Sequence, residues 1–88
     1  MRIPMVLLWN ENGEERSEMV HTQTISWFGC AIQSHHRLPV GSRIQAYREG
    51  KTANAKVLYC LQDHQLAEVG LEFAEDSPPL WEFPEWDQ

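Results

Sequence analysis

The sequence predicts an all-β fold, a small antiparallel barrel or sandwich. Segments of alternating polarity recur at intervals of about ten residues. Turn signals separate them at Asn10-Glu11-Asn12-Gly13, Leu38-Pro39-Val40-Gly41, Glu49-Gly50-Lys51 and Asp63-His64-Gln65. No stretch keeps a helical period beyond about two turns.

The elements follow in chain order. Ile3 to Trp9 is a nearly continuous apolar run and reads as a buried strand, with Pro4 tolerated near its start. Glu14 to Arg16 is polar and reads as an extension of the loop after Gly13. Glu18 to Ser26 holds the β-branched residues Val20, Thr22, Thr24 and Ile25, which favour a strand. Gly29 opens the next strand, in which Phe28, Cys30 and Ile32 alternate. Ser34-His35-His36-Arg37 reads as a solvated polar connection. In Arg43 to Arg48, Ile44 and Ala46 share one face, and Arg43, Gln45 and Tyr47 the other. Ala53, Ala55, Val57, Tyr59 and Leu61 share one parity, which predicts a long half-buried strand. Val69, Leu71 and Phe73 alternate with Gly70, Glu72 and Ala74. Six strands result, and closing them into a barrel removes the open edges of a small sheet.

The chain divides into a barrel over residues 1–76 and a Pro/Trp-rich tail over 77–88. Pro78, Pro79 and Pro84 exclude a central strand there. Leu80, Trp81, Phe83 and Trp86 are too apolar for a free tail. They predict a lid packed on one end or side of the barrel, with a short helical turn around Leu80 to Phe83.

Composition narrows the function. With 88 residues, 42% of them hydrophobic, the chain makes one globular domain. No apolar run is long enough for a membrane span, and the N-terminus lacks a signal-peptide pattern, so a cytoplasmic protein without membrane insertion is expected. The net charge of −6 argues against a general DNA or RNA binder. A small anionic ligand stays compatible, because a few clustered arginines outweigh a diffuse negative charge. Cys30 and Cys60 read as reduced, buried small hydrophobes. No ligand spacing predicts a metal site. No catalytic residue is predicted either, since Ser26 lacks a Gly-x-Ser-x-Gly elbow and no motif places a histidine and carboxylate beside it. The chain therefore reads as a non-enzyme without a cofactor.

The stretch Thr24-Ile25-Ser26-Trp27-Phe28-Gly29 carries the sharper question. A serine and a glycine at a strand-to-strand connection bring backbone close to a ligand, and they also build a plain tight corner.

This stretch also begins a resemblance that covers nearly the whole chain. Thr24-x-Ser26-x-x-Gly29 is similar to the Asp/Asn-x-Ser-x-x-Gly motif of the PilZ domain family. Leu38-Pro39-Val40-Gly41-Ser42 resembles that family's Leu-x-x-Gly, and Val69-Gly70-Leu71-Glu72-Phe73 its closing Val-Gly-Val-Glu-Phe strand. The tail Pro79-Leu80-Trp81-Glu82-Phe83-Pro84-Glu85-Trp86 resembles, at shorter spacing, the Phe-Trp-x-x-x-Phe-Pro-x-x-x-Trp ending of a PilZ-like subset. Arg2-Ile3-Pro4 resembles the second half of the family's Arg-x-x-x-Arg signature, whose first arginine falls before Met1. Position 24 holds threonine where the family has an acid or amide.

The resemblance implies a six-stranded antiparallel PilZ-like barrel that receives cyclic di-GMP and acts on a separate partner protein. Arg2, Ser26 and Gly29 would contact the nucleotide, with Thr24 and Arg16 in support. Arginine suits this ligand because it pairs bidentately with phosphate or the guanine edge and stacks on the base. The alternative it implies is a degenerate PilZ-like module that has lost the nucleotide and works by protein contact, with the acidic tail and its Trp81, Phe83 and Trp86 as docking surface. Trp27 would stack on a guanine, cover a partner surface or pack on the tail, and the last is expected.

Overall fold

A computed structural model describes residues 2–63 and 65–81. Its strands are β1 (Pro4–Glu11), β2 (Glu14–Ile25), β3 (Gly29–Ser34), β4 (Arg43–Arg48), β5 (Lys51–Asp63) and β6 (Leu66–Phe73). They close into a barrel in the order β1-β2-β3-β6-β5-β4, and every neighbouring pair is antiparallel. Alternation drives this closure. Ile3, Met5, Leu7 and Trp9 point inward, as do Ile44 and Ala46, Ala53, Ala55 and Val57, and Val69 and Leu71. Burying each larger apolar side chain contributes about 1.5–3 kcal/mol.

Two expectations are corrected by turn and bulge geometry. Glu14 to Arg16 belong to β2 rather than to a loop. Asn12 (φ 53°) and Gly13 (φ 85°) make the tightest hairpin turn, so Glu14 pairs at once with Glu11. In β5 the shared parity fails after Val57. A register shift between Val57 and Tyr59 turns the strand over. Cys60 then packs against the core, while Leu61 is exposed.

The two ends of the barrel hold different segments. One end gathers the N-terminus, the β2–β3 corner, the β4–β5 hairpin and the chain leaving β6. The other gathers the β1–β2 hairpin, the β3–β4 connection and the β5–β6 turn. The described part of the tail, Ser77 to Trp81, packs at the first end. Leu80 and Trp81 are buried in the core cluster, and Trp81 lies against Phe73 with ring centroids 5.3 Å apart. The Arg48 guanidinium donates to the Leu80 carbonyl at 2.8 Å. Ser77 accepts the Asn54 N–H at 2.8 Å. Phe83, Trp86 and the rest of the expected helical turn lie outside the described residues.

Candidate functional site

The β2–β3 corner is built by Ser26. Its hydroxyl accepts the N–H groups of Phe28 and Gly29, each at 3.2 Å, and donates to the Gly29 carbonyl at 3.3 Å. The Ser26 N–H also donates to the Gly29 carbonyl, at 2.9 Å. A hydroxyl offers one donor and two acceptor positions, so this one is fully used. The Ser26 carbonyl in turn accepts the Trp81 indole N–H at 3.0 Å. The Phe28 carbonyl accepts the Phe73 N–H at 2.7 Å, which ties the corner to β6.

Gly29 has its own reason to be glycine. Any Cβ there would collide with the carbonyl oxygen of Leu71 on β6. The missing side chain admits a neighbouring strand.

A hollow of about 250 Å³ lies beside the corner, lined by Thr24, Ser26 and Gly29 together with Phe28, Leu58 and Tyr59. The Tyr59 ring lies over Gly70, where a Cβ would strike it. Its hydroxyl donates to Glu68 at 2.9 Å, and this bond to a carboxylate pushes the phenol pKa up. Thr24, Ser26 and Gly29 therefore surround one hollow. Arg2 is exposed at the same end. It follows from the pairing of Ile3 with buried Thr22, whose hydroxyl accepts the Ile3 N–H at 2.8 Å.

Arg16 does not join them. It sits opposite Trp9 near the β1–β2 hairpin and pairs with Glu11 at 3.4 Å and Glu14 at 4.0 Å. β2 runs from Glu14 to Ile25, with one register shift against β3 between Thr22 and Thr24, so roughly 30 Å of strand separates Arg16 from Ser26. Being upstream in sequence puts it at the other end. Arg48, which the sequence reading passed over, is the half-buried arginine at the corner end. It is committed to the Leu80 carbonyl and to Glu49 at 3.2 Å.

Trp27 and Phe28 project from the corner, 59% and 76% exposed. The tail meets the corner through Trp81.

The far end carries a second polar cluster that the sequence reading missed. Glu18 accepts the Ser34 hydroxyl at 2.6 Å and the His35 N–H at 2.8 Å, and both histidine rings reach it through Nδ1, at 2.9 Å and 3.1 Å. Burial acts to raise its pKa, but the bonds from Ser34, His35 and His36 outweigh that and hold the carboxyl at about 2. His35 and His36 are thus tied down, and His36 also meets the Trp9 ring edge-on at 5.2 Å.

Burial pushes the Cys30 thiol up to about 12, which makes it a poor nucleophile at neutral pH. Among the described residues, no group of three or more His, Cys, Asp or Glu side chains is placed to hold a metal ion. None of their helices is long and apolar enough to cross a membrane.

Comparison with models of known protein families, with curated proteins and with solved structures found no match. The PilZ resemblance rests on the residues quoted for it.

Proposed function

We infer that the chain is a non-enzymatic regulatory module of the PilZ-like kind that works by protein contact, with the β2–β3 corner as its docking surface. The observation that carries this reading is Phe28, a phenylalanine 76% exposed on a corner locked by hydrogen bonds on both sides. An exposed aromatic on a rigid support loses little entropy on binding, which is the property of an interface anchor. Leu58, 47% exposed across the hollow, extends the apolar surface. Glu72, opposite Gly29 in the ladder, favours a partner with a basic rim. The module belongs in the cytoplasm, where its free thiols at Cys30 and Cys60 stay reduced.

The cyclic di-GMP reading has one observation in its favour, the gathering of Arg2, Thr24, Ser26 and Gly29 at one end. Against it, the Ser26 hydroxyl is already satisfied, and the hollow of about 250 Å³ is smaller than the ~300–1,000 Å³ of ordinary ligand sites. Titration of the labelled protein with cyclic di-GMP, followed by amide chemical shifts, decides between them. The contact reading expects no saturable shift at Ser26 or Gly29 at about 100 micromolar ligand. A saturable shift at both residues would restore the receptor.

A further inference from the structure

A second and larger hollow shares Glu72 with the one beside the corner. It is a groove of about 910 Å³ that runs across the strands from Arg16 on β2, past Leu8 on β1 and over β4 and β5, to Glu72 and Asp76. Two cations stand side by side in it. Arg43 and Lys56 are directly opposite each other in the β4–β5 ladder. Both are exposed on the outer face, because Ile44 and Ala55 beside them point into the core. Like charges directly opposite across strands destabilise a sheet.

Neither cation is neutralised by a carboxylate within 4.0 Å among the described residues, where the ion pairs involve only Arg16, His35, His36 and Arg48. Glu72 is the β6 neighbour of Lys56, yet the two form no ion pair. A chain of net charge −6 has acids to spare, so two adjacent unneutralised cations are not a product of composition. The next rung supplies neutral polar groups. Gln45 faces Asn54, joined only by a long bond of 3.4 Å. Trp9 also lines the groove, and its indole Nε1 is a buried donor without a hydrogen-bond partner among the described residues.

We propose that this groove binds a small ligand bearing one oxyanion group, a phosphate ester or a carboxylate, seated between Arg43 and Lys56. The anion removes the repulsion between the two cations and takes charge-assisted hydrogen bonds from both. The amides of Gln45 and Asn54 offer it neutral donors. Glu72 and Asp76 at one margin of the groove repel extended polyanions, which restricts the ligand to a single anionic head.

The test titrates the full labelled chain with phenyl phosphate, benzoate and inorganic phosphate, read by amide and indole N–H chemical shifts. Saturable shifts are expected at Arg43, Gln45 and Lys56. Preference for phenyl phosphate identifies a phosphate ester as the ligand class, preference for benzoate a carboxylate, and equal response to inorganic phosphate a free oxyanion. Arg43→Gln combined with Lys56→Gln weakens binding by roughly tenfold or more, while Arg37→Gln, outside the groove, leaves it unchanged. Thermal unfolding gives an independent readout. Without ligand the double variant melts no lower than wild type, because the repulsion is gone. Phenyl phosphate raises the melting temperature of wild type only. Absence of saturable shifts at Arg43 and Lys56 by about 10 millimolar, or equal shifts at Arg37 and Lys51, overturns the proposal.

Discussion

The two ends of the barrel are closed by different chemistry. At the corner end no carboxylate is needed: Ser26 folds its own loop, Trp81 donates to the Ser26 carbonyl, Phe73 ties the corner to β6, and the Arg48 guanidinium holds the Leu80 carbonyl. At the other end one carboxylate gathers the start of the β3–β4 connection, with Glu18 accepting from Ser34, from the His35 backbone and from two rings. The first end closes by the Ser26–Gly29 loop bonds, by the backbone tie from Phe28 to Phe73 and by a buried aromatic from the tail. The second depends on one charge reaching across 16 to 18 residues. The corner should therefore hold its shape across pH, whereas the Glu18 clasp should titrate.

The largest effect that breaks this comparison is steric. Gly29→Ala drives a methyl group into the Leu71 carbonyl and separates β3 from β6. The expected cost is about 3 kcal/mol or more, read as a lower urea midpoint. A melting temperature within a degree or two of wild type would show that the corner yields easily.

Glu18→Gln comes next. It should cost about 1–3 kcal/mol at neutral pH, because it weakens charge-assisted bonds in a half-buried cluster. The folded carboxyl sits at about 2, below its ordinary value of 4.5. Its contribution is therefore complete above pH 4.5 and is lost as the pH falls towards 2. Wild type should lose stability through that window more steeply than Glu18→Gln. Parallel acid-unfolding curves would assign the clasp no energetic role.

Trp81→Phe sharpens the corner side. It keeps a ring against Phe73 but deletes the donor to Ser26, so about 1 kcal/mol should be lost in thermal unfolding. That loss should not change between pH 7 and pH 5, since no group in the contact titrates there. Phe28→Ala is the smallest perturbation. At 76% exposure it should change stability by less than about 0.5 kcal/mol while it removes the proposed docking anchor. A large fall in melting temperature would mean that Phe28 is structural.

Much of the barrel could be read from the sequence because its signals are local. A continuous apolar run marked β1, alternation placed the inward residues of β4 and of β5 as far as Val57, and the turn residues Asn12, Gly13, Glu49 and Gly50, all with positive φ, marked both tight hairpins. A two-residue turn at Glu49-Gly50 pairs Arg48 with Lys51 and, five rungs on, Arg43 with Lys56, so the basic pair was implicit in the turn. What alternation could not show was the bulge after Val57, which reverses the facing of Tyr59 and Leu61 without any glycine or proline to mark it. Nor could it show the Glu18 clasp, since a glutamate in an acidic stretch carries no local sign of partners on another strand. Ser26 and Gly29 were visible as a motif, but their uses, a self-satisfied hydroxyl and a close approach to Leu71, depend on β6 lying alongside. Arg16 lies away from Ser26 because a strand of 12 residues carries its two ends to opposite ends of the barrel.

The central claim is that the corner is complete before any ligand arrives. Amide hydrogen exchange of Gly29 and Phe73 tests it directly, because one amide bonds to Ser26 Oγ and the other to the Phe28 carbonyl. Both should be protected in the free protein as strongly as Ile32 and Val69 in the barrel wall, and cyclic di-GMP should leave that protection unchanged. Rapid exchange in the free protein that slows on adding cyclic di-GMP would contradict the account.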